Sequence, residues 1–98
     1  MKKVTNIHPG EILLKDFLEP MGISRYRLAK ETGIPESRLY AIVHGLQGVT
    51  ADTAHRLARF FGTSPELWTG LQSDYDLEET ERKSARIYES IRPLAMAN

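Results

Sequence analysis

The chain has 98 residues, 13 basic and 13 acidic side chains, and no cysteine. That length buries one core and no more, and the missing thiols exclude disulfides, cysteine nucleophiles and thiolate-bound zinc, as fits a cytoplasmic protein. No apolar run approaches the roughly 20 residues that span a bilayer, and the start, MKKVTNIHPGE, has lysines with no signal-peptide apolar segment behind them.

The zero net charge hides an asymmetry. Residues 23–62 hold six basic side chains against three acidic ones, whereas residues 63–98 hold four against seven. A basic centre suits phosphate and an acidic tail suits a basic partner, although a solvated acidic helix face is the common alternative.

The first helix is expected to start near Pro9, with His8 before it, and to run to Glu19. Ile12, Leu13, Phe17 and Leu18 fall at helical spacing, and Pro20 with Gly22 ends it. Upstream, Val4-Thr5 leaves room for a short extended piece at most.

Residues 23–46, ISRYRLAKETGIPESRLYAIVHGL, read as two short helices folded across a glycine. Ser24 is placed to cap the first, with Leu28 and Ala29 on its inner face. Gly33 follows the last turn, where the chain needs positive φ to reverse. Pro35 is expected at the first position of the second helix, where a missing N–H costs nothing. Leu39, Ile42 and Val43 bury that helix, and Ile34 plugs the junction. Glu36, Ser37, Arg38, Tyr40 and His44 remain outside or on the flanks. This is the construction of a helix-turn-helix, whose second helix enters the DNA major groove. An ordinary αα-corner is the alternative, and it accounts less economically for the polar leading edge.

A fourth helix starts at Thr50 and Asp52, carries Ala54, Leu57, Ala58 and Phe61 as an apolar stripe, and stops at Gly62. Ser64-Pro65-Glu66 opens a fifth: a capping hydroxyl, proline at the first position and a carboxylate near the positive end of the helix dipole. Leu67, Trp68 and Leu71 are expected to close the core. Trp68 and Tyr75 could also stack a ligand, but a core tryptophan and a tyrosine packed at the base of the tail is the favoured reading. After Asp76 the chain is highly charged, with Ala85, Tyr88 and Ile91 as a thin stripe. Three readings stand: a helix packed on another subunit, a partner-binding helix, or a frayed tail.

No catalytic constellation accompanies these elements. His8, His44 and His55 lie in three different elements without paired ligand spacing, so no metal is expected. His8 is placed to cap or pack near the first helix, and His55 falls on the outer side of the fourth. Ser24 and Ser64 are explained as caps, there is no GxSxG, and glycine-rich phosphate loops are absent. Neither an enzyme nor a cofactor is expected.

The polar edge is chemically suited to DNA. Glu36, Ser37, Tyr40 and Ala41 lie on one side of the second helix. Ser37 can donate or accept, Tyr40 offers a hydroxyl and a ring for a thymine methyl, and Glu36 can accept from cytosine N4. Arg38 has three candidate roles: a base, a phosphate, or an ion pair with Glu36. Arg25, at the start of the preceding helix, His44 and Gln47 are placed for phosphates. For each residue singly, a solvated side chain is the alternative. Arg56 and Arg59 sit on one outer side of the fourth helix, where a solvated face is the leading alternative to a phosphate or partner contact.

The strings HPGEILLKDFLEPMGISRYRLAKETGIP and GVTADTAHRLARFFGTSPELWTGLQSDYDL resemble HigA-type, VapI-like antitoxins of the Xre/lambda-repressor-like helix-turn-helix superfamily, over roughly residues 7–80. The resemblance implies a homodimer on double-stranded DNA with an inverted-repeat operator, autorepression of a toxin–antitoxin operon, and neutralisation of a HigB-type mRNA endonuclease toxin. By position it carries the recognition-helix role onto Glu36, Ser37, Arg38, Tyr40 and Ala41, and the phosphate role onto Arg25, His44 and Gln47. Glu36 departs from the glutamine or other neutral residue common there. The expectation is thus an all-α chain: a five-helix, lambda-repressor-like domain over residues 1–76 and a charged helical extension over 77–98. A solitary Xre-type regulator without a toxin, and a toxin-neutralising interaction protein with weak DNA binding, are its rivals.

Overall fold

The computed structural model of the chain describes residues 6–95, and within them five helices pack around one apolar core. The expected extended piece at Val4-Thr5 lies outside the described residues. Helix α1 (residues 9–21) begins as an α-helix over Pro9–Ile12, widens into a π-helical turn over Leu13–Leu18, and closes over Glu19–Met21. His8 caps it, its Nδ1 accepting the Gly10 N–H at 2.9 Å. Of the two expected terminators, Pro20 and Gly22, the helix runs through the first and ends on the second, whose φ of 66° lies in the left-handed region. The π-helical turn, in which the Glu19 N–H reaches back to the Leu14 carbonyl, loosens the ladder just ahead of a residue with no N–H of its own.

Helix α2 (Arg25–Thr32) is capped by Ser24, which accepts the Arg27 N–H at 3.0 Å, and ends on Gly33. Helix α3 (Glu36–Val43) starts one residue later than expected, because Pro35 has extended backbone and stands before the first helical residue. Helix α4 (Ala51–Phe61) is capped by Thr50 and stopped by Gly62. Helix α5 (Pro65–Ser90) is capped by Ser64 and runs for 26 residues, with one interruption at Ser84 (φ −126°, ψ 24°). The change of composition at Asp76 therefore breaks nothing, since charged side chains are good helix formers on an exposed face.

Leu13, Leu18, Leu28, Ile34, Leu39, Ile42, Val49, Ala54, Leu57 and Trp68 form the core. Trp68 is fully buried, and its indole N–H donates to the Thr63 hydroxyl at 2.9 Å, so the ring sits between Phe17 and Phe61 without an unpaired donor. Leu67, expected inside, is 38% exposed. Burying Trp68 turns its neighbour in sequence some 100° away around the helix. Tyr75 meets the edge of His8 at 4.8 Å rather than Trp68. The second half of α5 leaves this core behind, and the radius of gyration of 17.0 Å exceeds the roughly 13 Å of a compact chain of this length.

Candidate nucleic-acid interface

The turn between α2 and α3 is fixed from three directions. Ile34 is buried beneath it. The Thr32 hydroxyl donates to the Leu28 carbonyl at 2.6 Å and accepts the Ile34 N–H at 3.2 Å. Arg56 reaches across from α4, donating to the Thr32 carbonyl at 2.8 Å while its Nε pairs with Asp52 at 2.9 Å. Arg56 is therefore a helix cap in trans rather than a member of a solvated face: a guanidinium at a helix C-terminus meets both an orphan carbonyl and the negative end of the dipole.

This scaffold aims α3 outward. Leu39 and Ile42 are fully buried, and Glu36, Ser37, Arg38, Tyr40 and His44 are exposed along the other side. Ala41 is half-buried; its carbonyl accepts the N–H groups of Leu46 (2.7 Å) and Gln47 (3.3 Å). The Gln47 side chain is exposed while its backbone N–H is spent inward, so any phosphate contact runs through the side-chain amide. Arg38 and Glu36 form no ion pair with each other among the described residues, and both point their charges to solvent.

Three of the expected contact residues come together. The Arg25 guanidinium lies 5.0 Å from the centre of the Tyr40 ring, and the His44 imidazole stacks on that ring at 4.0 Å. His44 Nδ1 lies 2.9 Å from the Tyr40 carbonyl, and a carbonyl only accepts, so Nδ1 carries the proton there. Nε2 is then an acceptor in the neutral ring and a donor to phosphate only in the imidazolium form. Two helix N-termini, at Ser24 and Pro35, add positive partial charge beside Arg25, Arg27 and Arg38.

Sequence reasoning passed over several residues that matter here. Tyr26 is 66% exposed beside Arg25; its position between two arginines was the available signal. Gly10 presses α1 against the end of α3, where a Cβ would overlap the Ile42 carbonyl oxygen. The legible cue was a glycine in the first turn of a helix. His8 links α1, the Gln47 backbone and Tyr75. Burial pulls its imidazole below the ordinary value of 6.5, with Asp76, the Gln47 backbone and Glu11 pulling the other way.

Elsewhere, an open groove of about 590 Å³ is lined by Glu31, Thr32, His55, Arg56, Arg59 and Phe60, none of them an expected contact. Among the described residues no group of His, Asp and Glu is placed to hold a metal ion, and no helix is long and apolar enough to cross a membrane.

Known proteins share this fold. A helix-turn-helix family model (HTH_3) matches residues 14–68. Virulence-associated protein I of Dichelobacter nodosus is 46% identical over 81 residues, 83% of this chain and 75% of that protein. Antitoxin HigA-1 of Vibrio cholerae is 36% identical over 86 residues, 87% and 80% of the two chains. The solved structure of Pseudomonas aeruginosa antitoxin HigA with the higBA promoter is 38% identical and superposes with a TM-score of 0.88, over 93% of this chain and 100% of that one. On fold, motif and sequence together, the chain belongs to the HigA antitoxin family of helix-turn-helix proteins.

Proposed function

We propose that this protein is a DNA-binding antitoxin that represses its own operon and neutralises a HigB-type mRNA endonuclease, with no catalytic activity of its own. The observation that carries the DNA half is the exposed row Glu36, Ser37, Arg38 and Tyr40 on α3, braced by Arg25 at the start of α2. In this reading Glu36, Ser37, Arg38 and Tyr40 face base edges, with Ala41 behind them, and Arg25, His44 and Gln47 hold phosphates. Two copies would place their α3 helices in successive major grooves about 34 Å apart on an inverted repeat, excluding polymerase from the promoter.

A specific observation favours the homodimer. Leu77, Ala85 and Tyr88 recur on one side of α5, Leu77 and Tyr88 are 66% and 48% exposed, and Ile91 and Leu94 follow at 64% and 84%. An apolar stripe of this length on an isolated small domain calls for a cover, and a second copy supplies the same stripe. Residues 77–98 then serve as the extension through which copies meet. A chain truncated at Glu81 that remains fully dimeric would remove that assignment.

The direct test is a gel-shift titration of the pure protein on the DNA upstream of its own reading frame, at two salt concentrations, with a scrambled duplex as control. Preferential binding that weakens steeply with salt is the expected result, because each neutralised phosphate releases counterions. Equal, weak binding to both duplexes would transfer the function to the toxin-neutralising role alone.

A further inference from the structure

The loop after α3 is anchored at both ends, by different means. On its near side Leu46 and Gln47 donate to Ala41, within the motif itself. On its far side the Val49 N–H donates to Gln72 Oε1 on α5 at 2.7 Å, across 23 positions of sequence. The same amide donates from Nε2 to Asp76 Oδ1 at 3.0 Å. One bond accepted and one donated, to partners of opposite kind, leave the amide a single orientation. Gly48 lies directly under it: a Cβ there would stand 2.9 Å from the Gln72 amide carbon and nitrogen. Val49 itself is buried in the core.

We infer that Gln72 is a positioning residue of the DNA interface: its amide, held by Asp76, sets where the loop presents Gln47 to the phosphate backbone. The inference rests on the reading above, in which this loop meets DNA. Gln72 acts only through the loop. With the Val49 N–H tied to α5, the loop is ordered when the protein folds; untied, it must be ordered when DNA binds, and that entropy is subtracted from affinity.

The test uses the full-length protein and the duplex upstream of its own reading frame, with four proteins: the parent, Gln72→Glu, the double variant Gln72→Glu/Asp76→Asn, and Gln47→Ala. Gln72→Glu keeps an acceptor for Val49 but sets two carboxylates about 3 Å apart, so the pair separates and operator affinity falls about tenfold. The double variant reverses donor and acceptor at the same pair and restores the parent's net charge, and it regains affinity to within about twofold of the parent. Amide hydrogen exchange at Val49 accelerates in the single variant and slows again in the double, with the thermal midpoint holding near the parent's. If Gln72→Glu fails to fold, Gln72→Asn, one methylene too short to reach Val49, replaces it. A double variant as weak as the single one overturns the inference, as does fast Val49 exchange with undiminished operator affinity. A weakened Gln47→Ala beside an unaffected Gln72→Glu places the failure here. A Gln47→Ala protein that binds like the parent, beside a weakened Gln72→Glu, places it in the phosphate role of the loop.

Discussion

The guanidinium of Arg25 and the ring of Tyr40 meet at 5.0 Å on the exposed side of the motif, joining the start of α2 to the middle of α3. The ring and the cation are thus positioned by each other; in the docking proposed above the ring faces bases and the cation a phosphate, so their effects on DNA binding are expected to be separable in kind but coupled in size. Arg25→Ala should weaken binding to operator and scrambled DNA alike and lower the salt slope by about one. Tyr40→Ala should instead relax preference at one half-site position, by about 1–3 kcal/mol. Because each substitution also removes the cation–π contact, the double variant should lose less than the two losses combined. Fluorescence-anisotropy titrations on single-base operator variants measure all three, and a Tyr40→Ala protein with full sequence discrimination would refute the assigned docking.

The crossing of α1 over the end of α3 depends on Gly10. Its Cβ position is occupied by backbone, the Ile42 carbonyl, which has no rotamer with which to give way. Gly10→Ala is expected to destabilise the fold by about 1–3 kcal/mol, in the range of overpacked cores, even though alanine is the better helix former. Urea unfolding followed by circular dichroism reports the change, and a variant as stable as the parent contradicts the crossing described.

Gly33 and Gly22 separate two effects that usually travel together. Both have left-handed backbone, with φ of 77° and 66°, but a Cβ at Gly33 would lie 2.9 Å from an Arg56 guanidinium nitrogen, whereas one at Gly22 meets nothing within 4 Å. Gly22→Ala should cost about 1–2 kcal/mol for backbone conformation alone. Gly33→Ala should cost more, because it also pushes Arg56 off the Thr32 carbonyl. Made in an Arg56→Ala background, Gly33→Ala should cost no more than Gly22→Ala does in the parent, and equal losses at the two glycines in the parent would show that Arg56 contributes nothing at the turn.

Acid should loosen the N-terminal end of α1. His8 caps Gly10 through an unprotonated Nδ1, and burial holds its imidazole below 6.5 in the folded chain. The unfolded chain therefore takes up a proton first as pH falls. The contribution of His8 is complete above pH 6.5, and it is lost as pH drops below that through the folded value. Unfolding free energies at about pH 7.5 and about pH 5.5, for the parent and for a His8→Asn variant whose amide oxygen can cap in the same place, isolate this residue from the carboxylates. A parent that loses no more stability than the variant on acidification would exclude the role.

Much of the fold was legible because its signals are local. Ser24, Thr50 and Ser64 cap helices within three residues of themselves, and Gly33 and Gly62 stop them in place. Pro35 was displaced by one position, since proline suits the residue before a helix as well as its first residue. Leu67 was misplaced for a different reason: neighbours on a helix point about 100° apart, and the packing here puts Trp68 inside and leaves Leu67 partly exposed. The outward row on α3 was readable as the complement of Leu39 and Ile42. What stayed hidden is tertiary. The reach of Arg56 to Thr32, the bond from Val49 to Gln72 and the press of Gly10 on Ile42 all join residues more than 20 positions apart, and no single-sequence period records them.

The π-helical turn over Leu13–Leu18 has a consequence for length. Such a turn holds one more residue than the α-turn it replaces, so it shifts the phase of everything before it by about 100° relative to everything after. Gly10 faces α3, and Pro9 and Leu18 are buried, only with that phase in place. Exposed positions along α1 can change identity without disturbing either contact. Deleting one residue between Leu13 and Leu18 would let the stretch close as an ordinary α-turn with the HPGE end still against Ile42, whereas α-helical bonding at the present length would rotate that end away, so the extra residue and the wide turn are required together.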